Sequence, residues 1–153
     1  VFLFHSFVRR VTVPLLYRHV SRGRCWLVLA MCAGDVRNSA DGDSCLGGAR
    51  VGRRSYGAWF GRMFRLTASI RPRAHRVEVT GSPLRATVVV HWTDPVTAHD
   101  GTVFENTGTH TLTLRWGRIA TVHQAWDRSV VARACAHAAA LGYPEATERP
   151  LTS

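Results

Sequence analysis

A chain of 153 residues can bury a sizeable core, and no linker divides it, so it reads as one domain over 1–153, with 1–7 and 146–153 peripheral. The formal charge of +10 comes from arginine alone, with no lysine in the sequence; this reads as a bias toward GC-rich codons, and nucleic acid is not expected as a partner. No apolar run approaches the roughly 20 residues that span a bilayer, so a membrane is not expected either.

The first segment, Val1–Phe7, is apolar but has neither a long apolar core nor a small-residue cleavage site, so it is not read as a signal peptide. The chain opens on Val1 rather than methionine, which reads as a processed or truncated start. Residues 5 to 32 carry apolar positions at helical spacing, first Phe7, Val8, Val11, Leu15 and Leu16, then Trp26, Leu27, Leu29, Ala30 and Met31. Pro14 should kink or break the first helix, and Ser21–Arg24 should connect the two. A short strand over Asp35–Asn38 follows, then loops marked by Asp41-Gly42-Asp43 and Gly47-Gly48. Over Arg53–Thr67, Tyr56, Trp59, Phe60, Met63 and Phe64 form a single apolar helical stripe. Gly57 and Gly61 each cost about 1 kcal/mol in that helix, which close packing against a sheet should offset. The stripe reads as core, with Trp59 or Phe60 also placed to touch a ligand.

From Ala74 the pattern changes to strands, His75–Val79 and then Leu84–Trp92, where Ala86, Val88, Val90 and Trp92 share one face. Asp100-Gly101 opens a hairpin. Thr109–Trp116 alternates strictly, with His110, Leu112 and Leu114 on one face. Trp116-Gly117 reverses the chain, and Ile119–Trp126 returns. Asp127 stands where the strand stops and an Ala-rich helix, Ser129–Leu141, begins; Gly142 and Pro144 end that helix. Helices first and antiparallel strands later make the class α+β, a strongly bent antiparallel sheet with helices on its concave side.

Several chemistries have no support. Cys25, Cys32, Cys45 and Cys135 lack CxxC spacing and paired histidines, so no metal is expected and the four read as reduced thiols in a cytoplasmic protein. The eight histidines form no HExxH or His-x-His pair. The glycines at 42–48 do not make a phosphate loop, and no GxSxG is present. Arg50, Arg53, Arg54, Arg62, Arg65, Arg71, Arg73 and Arg76 fall in a stretch without acidic residues, read as a solvated face or as a site for an acidic partner.

If the face of His110, Leu112 and Leu114 points into a pocket, then Val122, Gln124 and Trp126 should be its partners on the returning strand. Gln124 would orient a ligand oxygen, and Trp126 and Trp92 would stack on a flat ring. Asp127 admits two readings: a helix N-cap, or a carboxyl whose pKa an apolar surrounding raises for proton transfer.

The order helix, helix, short strand, helix, long strands resembles the nuclear transport factor 2-like fold. Within it the chain is similar to the SnoaL-like group of polyketide cyclase and ketosteroid isomerase-like proteins. The resemblance rests on GDVRNSADGDSCLGG at 34–48, RRSYGAWFGRMFRL at 53–66, the VVVHW strand, DGTVFENTGTHTLTLRWGRI at 100–119 and AWDRSVVARACAHAAALGYPEA at 125–146. It implies a cone-shaped fold that binds a small apolar molecule without a cofactor, with a possible homodimer. If the chain is an enzyme, the resemblance implies an isomerase or cyclase that abstracts a proton alpha to a carbonyl of a ring substrate. Asp127 then corresponds to the acid/base of the cyclases, and His110 to the oxyanion position of the isomerases, with His in place of the acid. Tyr17 is the N-terminal tyrosine candidate. The isomerase base falls near Asn38 or Ser39, neither of which can abstract a proton, so Asn38 is retained only as a binding residue. The alternatives are a non-catalytic binding or dimerisation module, and an Arg-rich protein that binds an acidic partner.

Overall fold

A computed structural model describes residues 1–153. The chain opens with α1 (Phe2–Phe7), a π-helical turn (Val8–Thr12) and α2 (Val13–Ser21), which follow one another without a gap. Pro14 therefore does not break the helix. It stands in the first turn of α2, and the carbonyl its ring would press on, that of Arg10, belongs to the wider π turn just before it. After α3 (Trp26–Met31) the chain enters β1 (Cys32–Ala40) directly, so helix gives way to strand at Cys32 and the expected short strand has nine residues.

The remaining elements are β2 (Gly48–Val51), α4 (Arg53–Leu66), β3 (Arg73–Ser82), β4 (Arg85–Thr97), β5 (Val103–Arg115), β6 (Arg118–Trp126) and α5 (Arg128–Ala140), then a 3₁₀ turn at Pro144–Thr147. The six strands form one curved sheet in the order β2-β1-β6-β5-β4-β3. All neighbours are antiparallel except β1 and β6, which run parallel. The fold is α+β of the bent-sheet kind expected, with that one parallel pair added.

Both long strands outrun their sequence limits. β4 continues through Pro95 to Thr97, whereas β3 reaches only to Thr93; beyond that point β4 pairs with β5 and, on its other side, makes a single bridge from Thr97 to Ser69, leaving Pro95 unpaired there. A proline without an N–H is tolerated where one side of the strand carries no neighbour. The β5–β6 turn is a two-residue reversal, with Trp116 and Gly117 both at positive φ (53° and 73°), which matches the twist of the flanking strands. Gly108 is fixed by closeness: a Cβ there would lie 2.1 Å from Ala125 O and 2.8 Å from the Trp92 ring.

The main core of 16 buried residues joins the first helices, α4 and the sheet, and includes Val36, Tyr56, Trp59, Phe60, Val88, Val90, Ile119 and Val122. A second cluster of seven gathers Cys45, Leu46 and Leu66 against Val131, Cys135 and Ala138 of α5. In α4, Gly57 faces Leu29 of α3 rather than a strand, so its missing side chain serves helix–helix approach. All four cysteines are free thiols, and the Cys45 and Cys135 sulfurs lie 3.7 Å apart. No helix is long and apolar enough to cross a membrane.

Candidate functional site

Between the helices and the sheet lies a cavity of about 150 Å³, lined by 29 residues of which 23 are hydrophobic. That volume is on the scale of a cavity that accepts a single benzene ring. The pleat decides which strand residues reach it, since alternate side chains of one strand share a face. From β4 come Trp92, Asp94 and Val96; from β5, Phe104, Asn106, His110 and Leu112; from β6, Val122, Gln124 and Trp126. The helices close the other side with Leu16 and Tyr17 of α2, Trp59, Phe60 and Met63 of α4, and Val131 and Cys135 of α5.

The register agrees with the pairing read from the alternation: His110 stands opposite Gln124, and Leu112 opposite Val122, while Trp126 faces Gly108. Of the residues singled out from sequence, Tyr17, Trp59, Trp92, His110, Leu112, Val122, Gln124 and Trp126 line one cavity. Asn38 and Asp127 do not.

His110 is the centre of a three-ring arrangement. Its Nδ1 lies 2.5 Å from Tyr17 Oη, and its ring stacks on Trp92 at 5.1 Å between centroids. Burial pushes its pKa down to about 3, so the imidazole is neutral. Burial, followed by the nearby Tyr56 and Asp94, raises the Tyr17 phenol well above its usual range, so it too is neutral. The tautomer sets the direction of the bond. With the ring proton on Nε2, the tyrosine hydroxyl donates to Nδ1. With the proton on Nδ1, the imidazole donates to Oη and the phenol proton is free for a ligand oxygen.

Gln124 is held from behind. Asn38 Nδ2 donates to Gln124 Oε1 (3.3 Å) and to Val122 O (3.4 Å), and Asn38 Oδ1 in turn accepts from Arg50 Nη1. Arg50 is itself buried, donates to Gly47 O (2.6 Å) and Leu151 O (3.1 Å), and lies over the Trp59 ring at 5.6 Å. This chain occupies the Gln124 carbonyl and leaves its NH₂ to the cavity. Asn38 is thus a 1% exposed support behind Gln124 rather than a residue that contacts a ligand, a correction to its expected place.

Asp127 requires a larger correction. It caps α5: Oδ1 accepts from Ser129 N (3.0 Å), Ser129 Oγ (2.7 Å) and Val130 N (3.4 Å). The Ser129 hydroxyl, the helix amides and Arg133 hold its pKa below the usual carboxylate range. An exposed, ionised cap lacks the raised pKa that proton transfer from carbon needs.

The acidic group that does line the cavity is Asp94, which the sequence reading passed over. It is 8% exposed, and its single hydrogen bond comes from Arg71 N to Oδ1 at 2.7 Å. Burial raises its pKa to about 6, against the lowering effect of the Arg71 amide, and Glu105 on the neighbouring strand adds to the rise. Trp92 Nε1, two residues earlier on the same face, is buried without an acceptor. The cue was in the sequence: the alternation Ala86, Val88, Val90, Trp92 continues in step through Asp94 and Val96.

No group of three or more His, Cys, Asp or Glu side chains converges in the fold. The Arg-rich stretch is not one surface face, because Arg50 and Arg62 are interior. Arg62 donates to Cys45 O and Arg149 O and pairs with Glu145 and Glu148.

Comparison with known proteins places this geometry. No curated protein matches the chain. Among solved structures it is similar to an NTF2-like protein of unknown function from Burkholderia pseudomallei, with TM-score 0.67 and 27% identity, covering 80% of this chain and 92% of that one. It is similar to a candidate polyketide cyclase from Xanthomonas campestris, with TM-score 0.56 and 20% identity over 76% and 88% of the two chains. It is also similar to TerC, crystallised with polyporic acid, with TM-score 0.63 and 20% identity over 76% and 89%. The family model of the SnoaL-like domain matches residues 15–122, and the chain belongs to that family, within the nuclear transport factor 2-like superfamily.

Proposed function

We propose that the chain binds a compact, largely apolar ring molecule that carries a carbonyl, and that it moves a proton beside that carbonyl without a cofactor. One observation carries this reading: a largely apolar cavity holds a neutral Tyr17–His110 pair 2.5 Å apart. The pair keeps one of its two protons for its own hydrogen bond, and the uncharged donor that remains suits an oxygen that gains charge during reaction. Gln124 NH₂ is a further donor for the same or a second oxygen, and Trp92, Trp126 and Leu112 form the apolar walls. The similar chain TerC was crystallised with polyporic acid, which supports a small-molecule ligand. The four free thiols suit a reducing compartment, and we assign the chain to the cytoplasm.

The test is thermal denaturation of wild type and Tyr17→Phe with a panel of one-ring and two-ring ketones. A ketone present at 100 times its Kd should stabilise wild type by about 2.7 kcal/mol, and Tyr17→Phe should bind it more weakly. If only hydrocarbons of the same shape bind, the carbonyl reading is wrong.

A second reading is self-association. Phe2, Leu3 and Phe7 are 82%, 82% and 58% exposed on the first helix, a large apolar display for a monomer. Sedimentation would return a dimer mass on that reading and a 17.0 kDa species otherwise.

A further inference from the structure

Two polar residues of the cavity stand where β4 and β5 extend past the edge of β3. Asp94 and Asn106 are direct partners across the β4–β5 pair, and both line the cavity. Trp92 precedes Asp94 by two residues, about 7 Å along the strand, and lies on the His110 ring. In this group the Asp94 carboxyl has one oxygen fixed by Arg71 N–H and forms no ion pair. Its Oδ2 accepts no hydrogen bond from the protein, and the residue lines the cavity. A nearly buried carboxyl with one fixed and one free oxygen, beside neutral donors, suits neither a cap nor a structural ion pair.

We propose that Asp94, not Asp127, is the proton-transferring residue of this cavity. This rests on the carbonyl-binding reading above. The free Oδ2 of the carboxylate takes a proton from the carbon alpha to the ligand carbonyl. The C–H pair becomes the new C=C bond, and the carbonyl π pair moves to oxygen. That oxygen is held by Tyr17 Oη–H, with His110 setting the phenol's orientation. The proton on Oδ2 exchanges with solvent, and return of a proton from Oδ2 to the alpha or the conjugated gamma carbon restores the carbonyl and the carboxylate, so the step is redox-neutral and needs no co-reactant. The groups that face Asp94 are the Arg71 amide from the segment before β3, Glu105 on β5, and Tyr17 on α2.

The experiment uses cyclohex-3-enone, whose shift to cyclohex-2-enone requires one alpha abstraction and one gamma return. Proton NMR in D₂O follows both deuterium uptake and isomerisation, and line broadening of the enone follows binding. The proteins are wild type, Asp94→Asn and, as an exposed control, Asp127→Asn. Wild type should bind and exchange, with a rate that rises as pH passes through about 6. Asp94→Asn should bind but lose exchange by at least about 100-fold, and Asp127→Asn should behave as wild type. Equal exchange by Asp94→Asn overturns the proposal, as does loss on Asp127→Asn alone. Binding by wild type without exchange overturns it while the binding reading survives. Failure of wild type to bind removes the carbonyl reading itself, and Asp94 falls with it. Should Asp94→Asn not fold, a wild-type exchange rate flat from pH 5 to pH 7 overturns the proposal by itself.

Discussion

At the scale of the residue, Asp94 has a thermodynamic consequence apart from any turnover. Its pKa is about 6 in the folded chain against 3.8 unfolded, so between those values the native state holds more protons than the unfolded state. Stability therefore falls as pH rises through that window, and above pH 6 the full loss is about 3 kcal/mol. Asp94→Asn keeps the acceptor for Arg71 N–H and removes the charge. It should raise stability at pH 7 by up to that amount and leave it nearly unchanged at pH 3.5; urea denaturation at the two pH values measures both. His110 has the opposite sign, since its depressed pKa costs stability as pH falls from about 6.5 toward about 3. A pH scan on the Asp94→Asn background isolates that slope. Most cavity residues were legible because alternation along β5 and β6 is strict. Asp94 was missed because Pro95 follows it, and a proline suggests that a strand has ended. Asp127 admitted two readings because a cap and a catalytic carboxyl look alike at a strand–helix junction, and the cap is the one its hydrogen bonds support.

At the scale of the element, local rules settled most of the architecture. The turn at Trp116-Gly117, the α4 stripe and the capped α5 all follow from short-range pattern. The failures arose where the rule depended on a neighbour. Pro14 is tolerated because a π turn precedes it, and Pro95 because β3 has already ended. β1 extends to nine residues because β2 and β6 pair on either side of it. Gly108 shows the same dependence: its sequence context is ordinary, but Ala125 O and Trp92 leave no room for a side chain. Gly108→Val should push β6 and the indole apart and destabilise the fold by about 1–3 kcal/mol. Because Trp92 lies on His110, it should also weaken ketone binding. Gly117→Ala is the matched comparison, since that turn lies away from the cavity.

At the scale of the whole molecule, the arginine excess divides into two populations. Most arginines lie outside, whereas Arg50 and Arg62 run through the interior and tie the C-terminal segment to the loops before α4. Leu151 O binds Arg50, Arg149 O binds Arg62, and Ser153 Oγ accepts from Val51 N at 2.6 Å. This segment covers the free edge of β2, the kind of edge that otherwise recruits other strands. Arg62→Ala would leave the buried Cys45 O without its donor, a cost of about 2 kcal/mol, and release the segment by removing the contacts to Arg149 O, Glu145 and Glu148. Limited proteolysis should then cut after residue 143 before the rest of the chain is attacked.

The parallel pairing of β1 with β6 governs the order in which the molecule can be made. Asn38 and its partner Val122 are 84 residues apart, and of the strands between them β3, β4 and β5 do not pair with β1. During synthesis at roughly 5–20 residues per second, β1 therefore waits about 4–17 s for its neighbour. Through that interval the β1–β2 hairpin lacks its parallel neighbour, and its apolar face meets solvent or a chaperone. Joining β6 to β1 also brings Val122, Gln124 and Trp126 to the cavity wall. The site is therefore among the last features of the protein to exist as the chain leaves the ribosome.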